Sequence, residues 1–215
     1  MLSTPRSSTT NQHLWFTADH HFGHSNIIRY CNRPFASAED MDAALIRLWN
    51  ETVGADDVVY HLGDFTLHGI GKFKSIVGQL HGQLRILPGS HDRRWLDQFQ
   101  ADDPDLHTAH GHAITLLPPL VSLEIPDMRE DHYLQVIVLR YYALRVWDRS
   151  HYGSWHLYGH SHGHLPGLVA GRGRRLSWVS AVEPGRSCRE AAVAPAVHAK
   201  LEQRNCPTIC HRASS

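Results

Sequence analysis

Long apolar runs, lysine and regularly spaced cysteine are all scarce in this sequence, and each scarcity removes a class of protein. No apolar stretch in the 215 residues approaches the roughly 18 that span a bilayer. Only Lys72, Lys74 and Lys200 are lysines, and 21 Lys+Arg against 21 Asp+Glu leave no net charge. That balance argues against a bulk electrostatic nucleic-acid binder and against a polybasic membrane-surface protein. The four cysteines, Cys31, Cys188, Cys206 and Cys210, follow no framework spacing, which points to a reducing compartment. Met1–Gln12 is Ser/Thr-rich without an apolar centre, so a frayed start is expected in place of a signal peptide, and with it a cytoplasmic location.

Histidine is what the chain has in excess, with 19 residues. It is the commonest metal ligand and titrates near neutrality, so a metal or acid–base site is expected. Short apolar runs lead repeatedly into polar, ligand-type residues. Leu14–Thr17 precedes Asp19-His20-His21, Val58–Tyr60 precedes Gly63-Asp64, and Leu84–Leu87 precedes Gly89-Ser90-His91-Asp92. Val136–Leu139 precedes Arg140-Tyr141-Tyr142, and Trp155–Tyr158 precedes Gly159-His160-Ser161-His162. Such runs read as buried strands. Ser37 opens a helical pattern carrying Met41, Leu45, Ile46 and Trp49, and Ile70–Leu80 is a second helix weakened by Gly71 and Gly78. Strand and helix therefore alternate, which predicts an α/β sheet with parallel strands and a site beyond their carboxyl ends. Ala113–Leu117 and Val121–Ile125, around Pro118-Pro119, read as a hairpin-like pair at a sheet edge.

Asp19 and His21 are spaced i, i+2, which places both side chains on one side of an extended backbone. An oxygen and an imidazole so arranged suit one divalent ion. His160 and His162 repeat the spacing, Asp64 follows a glycine after a strand, and Asp92 stands beside His91, where it would fix the ring's tautomer. Cys206 and Cys210 with His211 read either as part of a zinc site or, better, as a loose tail.

The blocks Asp19-His20-His21, Gly63-Asp64, Gly89-Ser90-His91-Asp92 and Gly159-His160-Ser161-His162 resemble the D-x-H, G-D, G-N-H-D and G-H-x-H motifs of the calcineurin-like metallophosphoesterases. Asn32-Arg33-Pro34-Phe35 and Tyr60-His61-Leu62-Gly63-Asp64-Phe65 resemble the small prokaryotic and phage branch. The resemblance runs from about Leu14 to Gly163. It implies a domain over 13–182, between the frayed 1–12 and a divergent tail over 183–215. The implied architecture is a four-layer α/β/β/α sandwich of two mixed sheets flanked by helices. The implied chemistry is two-metal hydrolysis of a phosphoester, with divalent ions (Mn, Zn, Fe or Ni) about 3.5–4 Å apart activating water. Asp19, His21, Asp64 and His162 would hold the first ion. Asp64, the motif's Asn, an upstream His and His160 would hold the second. His91, with Asp92, would steady the phosphate or protonate the leaving oxygen, and His24 and Arg33 are candidates for contacting phosphate.

Two of those second-ion ligands are replaced. Ser90 stands at the Asn, and Tyr141 stands at the upstream His. Serine is one atom shorter than asparagine, and a tyrosine ionises near pH 10 and is not a usual zinc ligand. Either the second ion binds weakly or not at all, or Tyr141 coordinates as a phenolate, or His151 or His132 substitutes. The closing strand also departs, with Trp178–Glu183 where the family has a Val-Gly-Val-Asp type segment. The expected partner is a phosphoester small molecule or nucleotide, with no membrane. A nucleic-acid substrate has only the local run Arg172–Arg175 in its favour. The alternative is a catalytically impaired relative that keeps one metal site and acts as a binding or regulatory module.

Overall fold

The computed structural model describes residues 12–126, 134–162 and 175–178. His132, the segment 163–174 and the tail 183–215 with its three cysteines and His211 lie outside the described residues. So do most of the expected frayed start and of the closing segment. Eight strands form two sheets. In the first, β1 (Leu14–Thr17), β2 (Val58–His61), β3 (Gln83–Ile86) and β4 (Thr115–Leu116) lie in sequence order, every pair parallel. In the second, β5 (Leu120–Pro126) pairs antiparallel with β6 (Leu134–Arg140). β6, β7 (Trp155–Tyr158) and β8 (Arg175–Trp178) continue in parallel.

Two expectations change. Among the described residues the first sheet is wholly parallel, where the resemblance implies a mixed one. The strands on either side of Pro118-Pro119 do not form a hairpin: β4 joins β3 in the first sheet, and β5 joins β6 in the second. Consecutive prolines remove two backbone donors, so the chain leaves one ladder there and enters another.

The helices follow the apolar periodicity. In α2 (Ala38–Thr52) the Ser37 side chain accepts the Asp40 N–H at 3.0 Å, and Met41, Leu45 and Trp49 are buried on one face. α3 (Ile70–Val77) stops at Gly78 and buries Phe73, Ile76 and Val77. The short α1 (Ser25–Tyr30) and α4 (Arg93–Leu96) add Ile27 and Trp95.

Strand alternation sends side chains into two separate cores. Trp15, Val59, Leu84 and Ile86 join the helices' apolar faces in one cluster. Phe16, Val58 and Tyr60 meet Ile137, Leu139 and Leu157 of the second sheet in the other. Helices, first sheet and second sheet are thus stacked layers. On the other face of the second sheet, His156 packs against Trp147 and its Nε2 accepts the Leu144 N–H at 2.9 Å. Among the described residues, no helix is long and apolar enough to cross a membrane.

Candidate metal centre

Five loops leaving β1, β2, β3, β6 and β7 meet at the carboxyl ends of those strands, and short backbone bonds lock them together. The Asp19 N–H donates to the Gly63 carbonyl and the His21 N–H to the Asp64 carbonyl, both at 3.0 Å. The His160 N–H donates to Asp19 Oδ1 at 3.0 Å, and the His91 N–H to Asp64 Oδ1 at 2.9 Å. The crossing is so close that a Cβ on Gly89 would stand 2.1 Å from the Asp64 nitrogen. Only glycine fits there.

The backbone itself is strained where the expected ligands sit. Asp19, His21, Asp64, His160 and His162 all have positive φ, between 47° and 67°; among the described non-glycine residues only Asn32 and Arg149 share this. Each left-handed residue costs roughly 1–2 kcal/mol, so the surrounding bonds must hold the turns against a real penalty.

Asp19, His21 and His162 bring one donor atom each within 4.8 Å of one another, and His21, Asp64 and His91 form a second such group. His21 belongs to both. Its Nε2 lies 3.2 Å from His162 Nε2 and 3.6 Å from Asp64 Oδ2. The expected first-ion quartet therefore converges around His21, with His91 drawn in: its Nε2 is 3.9 Å from Asp64 Oδ2.

The donor set fits a divalent ion. Two nitrogens bound to one tetrahedral zinc at 2.0–2.1 Å stand about 3.3 Å apart, close to the His21–His162 spacing. Asp19 Oδ2 is buried and accepts no hydrogen bond among the described residues, and neither does His21 Nδ1. Burial pushes the Asp19 carboxyl up to about 8, against the pull of the His160 N–H. Burial, with Arg33 and His162 adding to it, drives His21 far below the ordinary imidazole range. A neutral imidazole beside an uncompensated carboxyl is a ligand pair lacking only a cation.

The other half of the site is organised differently. The Tyr141 hydroxyl donates to Asp64 Oδ2 at 2.5 Å and lies 2.7 Å from His160 Nδ1 and 2.8 Å from Ser90 Oγ. Burial, with the Asp64 charge added, pushes its phenol well above the ordinary tyrosine range. The ring packs so tightly on Gly63 that a Cβ there would stand 2.6 Å from Tyr141 Cδ2. His160 thus faces Tyr141, outside both donor groups. His151 lies exposed against Tyr152 in the turn Ser150–Tyr152, also outside them.

Two assignments are corrected. Arg33 is 5% exposed, and its guanidinium donates to the Asp19 and His20 carbonyls, both at 2.6 Å. It positions the first ligand loop and does not face an incoming phosphate. Asp92 is fully buried and accepts the N–H groups of Phe65, Thr66 and Gly89 and the Trp95 indole. It ties the β3 loop to the β2 loop, leaving His91 to be placed by its backbone bond to Asp64. His24 stays at the site, its ring 5.9 Å from His91 and 5.6 Å from His21.

One positioning pair was not expected. The Gly63 N–H donates to His61 Nδ1 at 3.2 Å, so the proton sits on His61 Nε2, which donates to His20 Nδ1 at 2.9 Å. Burial holds His61 down at about 3, keeping that ring neutral. The only sequence signal was a histidine as the last residue of an otherwise apolar strand.

No family model matches the chain. An 82-residue stretch is 40% identical to the uncharacterized protein MJ1445 of Methanocaldococcus jannaschii, covering 37% of this chain and 47% of that one. A 116-residue stretch is 32% identical to the Gene 66 protein of Mycobacterium phage D29, covering 53% of this chain and 56% of that one. The chain thus spans about half the length of the curated relatives it matches. In fold it is similar to the crystal structure of AQ665, a protein of unknown function from Aquifex aeolicus. The TM-score is 0.51 at 19% identity, over 79% of this chain and 90% of that one.

Proposed function

We propose that this chain is a metal-dependent phosphoester hydrolase of the calcineurin-like metallophosphoesterase type, built on the four-layer sandwich of that family and acting on a phosphomonoester or diester such as a nucleotide. The observation that carries the reading is Asp19 Oδ2, a buried carboxyl oxygen without a donor among the described residues, grouped with His21 and His162. Asp19, His21 and His162 hold a divalent ion, with Asp64 closing the set. Such an ion supplies Lewis acidity toward a phosphoryl oxygen and makes water nucleophilic near neutral pH.

The chain's own residues do the rest. Arg33 fixes the carbonyls of the two consecutive peptides Asp19–His20 and His20–His21 and so holds the first ligand loop rigid. His91 keeps 40% of its side chain exposed while its backbone is bonded to Asp64. It can therefore reach a leaving-group oxygen and deliver a proton there. His24, beside it, adds a second imidazole donor toward phosphate oxygens.

The replaced second-ion ligands favour a second reading, a relative of impaired catalysis that binds through one ion. Hydrolysis of 4-nitrophenyl phosphate and bis(4-nitrophenyl) phosphate with added manganese separates the two. Metal-dependent turnover that falls at least about 100-fold in Asp19→Asn supports the hydrolase. One bound ion without turnover on either ester supports the binding module.

A further inference from the structure

The polar shell of the expected second ion converges on an atom of the protein itself. Tyr141 Oη has Asp64 Oδ2, His160 Nδ1 and Ser90 Oγ at 2.5, 2.7 and 2.8 Å. A hydroxyl has one proton and two lone pairs. The proton goes to the Asp64 carboxylate, the strongest acceptor of the three. The lone pairs accept from Ser90 Oγ–H and from His160 Nδ1–H, so every valence of the hydroxyl is used. A transition-metal ion bound to Asp64 and His160 would stand about 2.0–2.2 Å from each donor atom. It would compete with the phenol proton for the Asp64 Oδ2 lone pair and would have to displace the proton that His160 Nδ1 donates, and the phenol oxygen stands between them.

We infer that the Tyr141 hydroxyl, backed by Ser90, replaces the second cation as a hydrogen-bonded hub, so that the chain carries a single-ion centre in which Tyr141 positions the Asp64 carboxylate. This inference rests on the proposed metal site and narrows it to one ion. The two departures from the motif then form one unit. Serine at 90 and tyrosine at 141 are partners at 2.8 Å, and the larger side chain fills the space that the smaller one leaves. His160 keeps a task without being a ligand, since it donates into the hub. Gly63, which admits the ring, is part of the same device.

The test is a metal count on the full chain, stripped with chelator and reloaded with manganese(II), read by elemental analysis and by electron paramagnetic resonance. One ion per chain with the spectrum of an isolated manganese supports the hub. Two ions with an exchange-coupled spectrum would overturn it while leaving the proposed hydrolase standing. No bound ion would overturn the metal centre and the hub together. In Tyr141→Phe the count stays at one and manganese affinity falls about 10-fold, as for loss of an outer-shell partner; an unchanged affinity would overturn the positioning role. Ser90→Asn/Tyr141→His gains a second, coupled ion, and an uncoupled single ion in that folded variant would contradict the hub. If the double variant does not fold, the wild-type count and Tyr141→Phe still decide. A visible phenolate-to-iron band in the iron(III)-loaded protein would make Tyr141 a ligand and overturn the inference.

Discussion

The two halves of the site answer the same problem, a buried carboxylate, in opposite ways. Around Asp19 and His21 the protein leaves buried polar atoms without partners among the described residues and places imidazoles beside them. Around Asp64 it supplies donors, with the Tyr141 hydroxyl on one oxygen and the His91 N–H on the other. The first half leaves buried atoms without hydrogen-bond partners among the described residues, and the second supplies a donor to each Asp64 oxygen. Full hydrogen bonding rigidifies a buried network, whereas a missing partner costs the desolvation of the exposed lone pair. Affinity for metal should therefore follow the gaps in hydrogen bonding more closely than the number of ligand-type side chains.

The largest expected effect breaks the incomplete half. Asp19→Asn abolishes the rise in melting temperature that manganese gives the wild type, which reflects a stabilisation of about 2.7 kcal/mol at 100 times Kd. The metal-free variant should melt higher than the metal-free wild type at neutral pH. The sign follows from a carboxyl whose folded value, about 8, lies above its unfolded one. Such a group favours folding less and less as pH climbs from the ordinary carboxylate range to about 8. Melting curves of both proteins across that range, with chelator, check this; parallel pH profiles would contradict it.

Next in size, Arg33→Ala removes both donors from the Asp19 and His20 carbonyls and should cost about 3 kcal/mol in denaturant unfolding. Arg33→Lys should recover little, because an ammonium cannot present the planar fork that reaches both oxygens. Full recovery by lysine would reduce Arg33 to a simple buried charge.

These outcomes also mark what sequence patterns carry and what they do not. The positions of the candidate donor residues were legible because each follows a short apolar run, and strand ends in parallel sheets point one way. Ser37 and the spacing of Met41, Leu45 and Trp49 were equally plain, since capping and helical periodicity are local. Partners across space were not. Asp92 beside His91 suggested a catalytic pair, yet its oxygens turn to Phe65, Thr66, Gly89 and Trp95. Arg33 looked like a phosphate contact because its chemistry suits one, and only its bonds to the Asp19 and His20 carbonyls in the folded chain show it facing backbone. The meeting of Ser90 and Tyr141, 51 positions apart, has no local signature at all.

Smaller effects sharpen the contrast further. Asp57 lies far from the site; burial pushes its carboxyl up, but donors from Trp15 Nε1 and the His13 and Gly54 N–H groups outweigh this and hold it below the ordinary range. Its contribution to stability is present above the unfolded value and lost as pH falls through the folded one. Asp57→Asn should therefore lower the melting temperature at pH 7 and narrow the gap to wild type in acid, with no change in manganese affinity. Ser90→Ala is the mildest change, costing roughly 1 kcal/mol or less by loss of one hydrogen bond to Tyr141. A loss of several kcal/mol in thermal melts would mean that the hub depends on Ser90 far more than one bond allows.

Anomalous diffraction from crystals grown with manganese is the most direct test of the central claim. One peak within bonding reach of Asp19, His21 and His162, with Tyr141 Oη still bonded to Asp64 and His160, is the predicted result. Density for no ion at those three residues, in protein saturated with manganese, would contradict it.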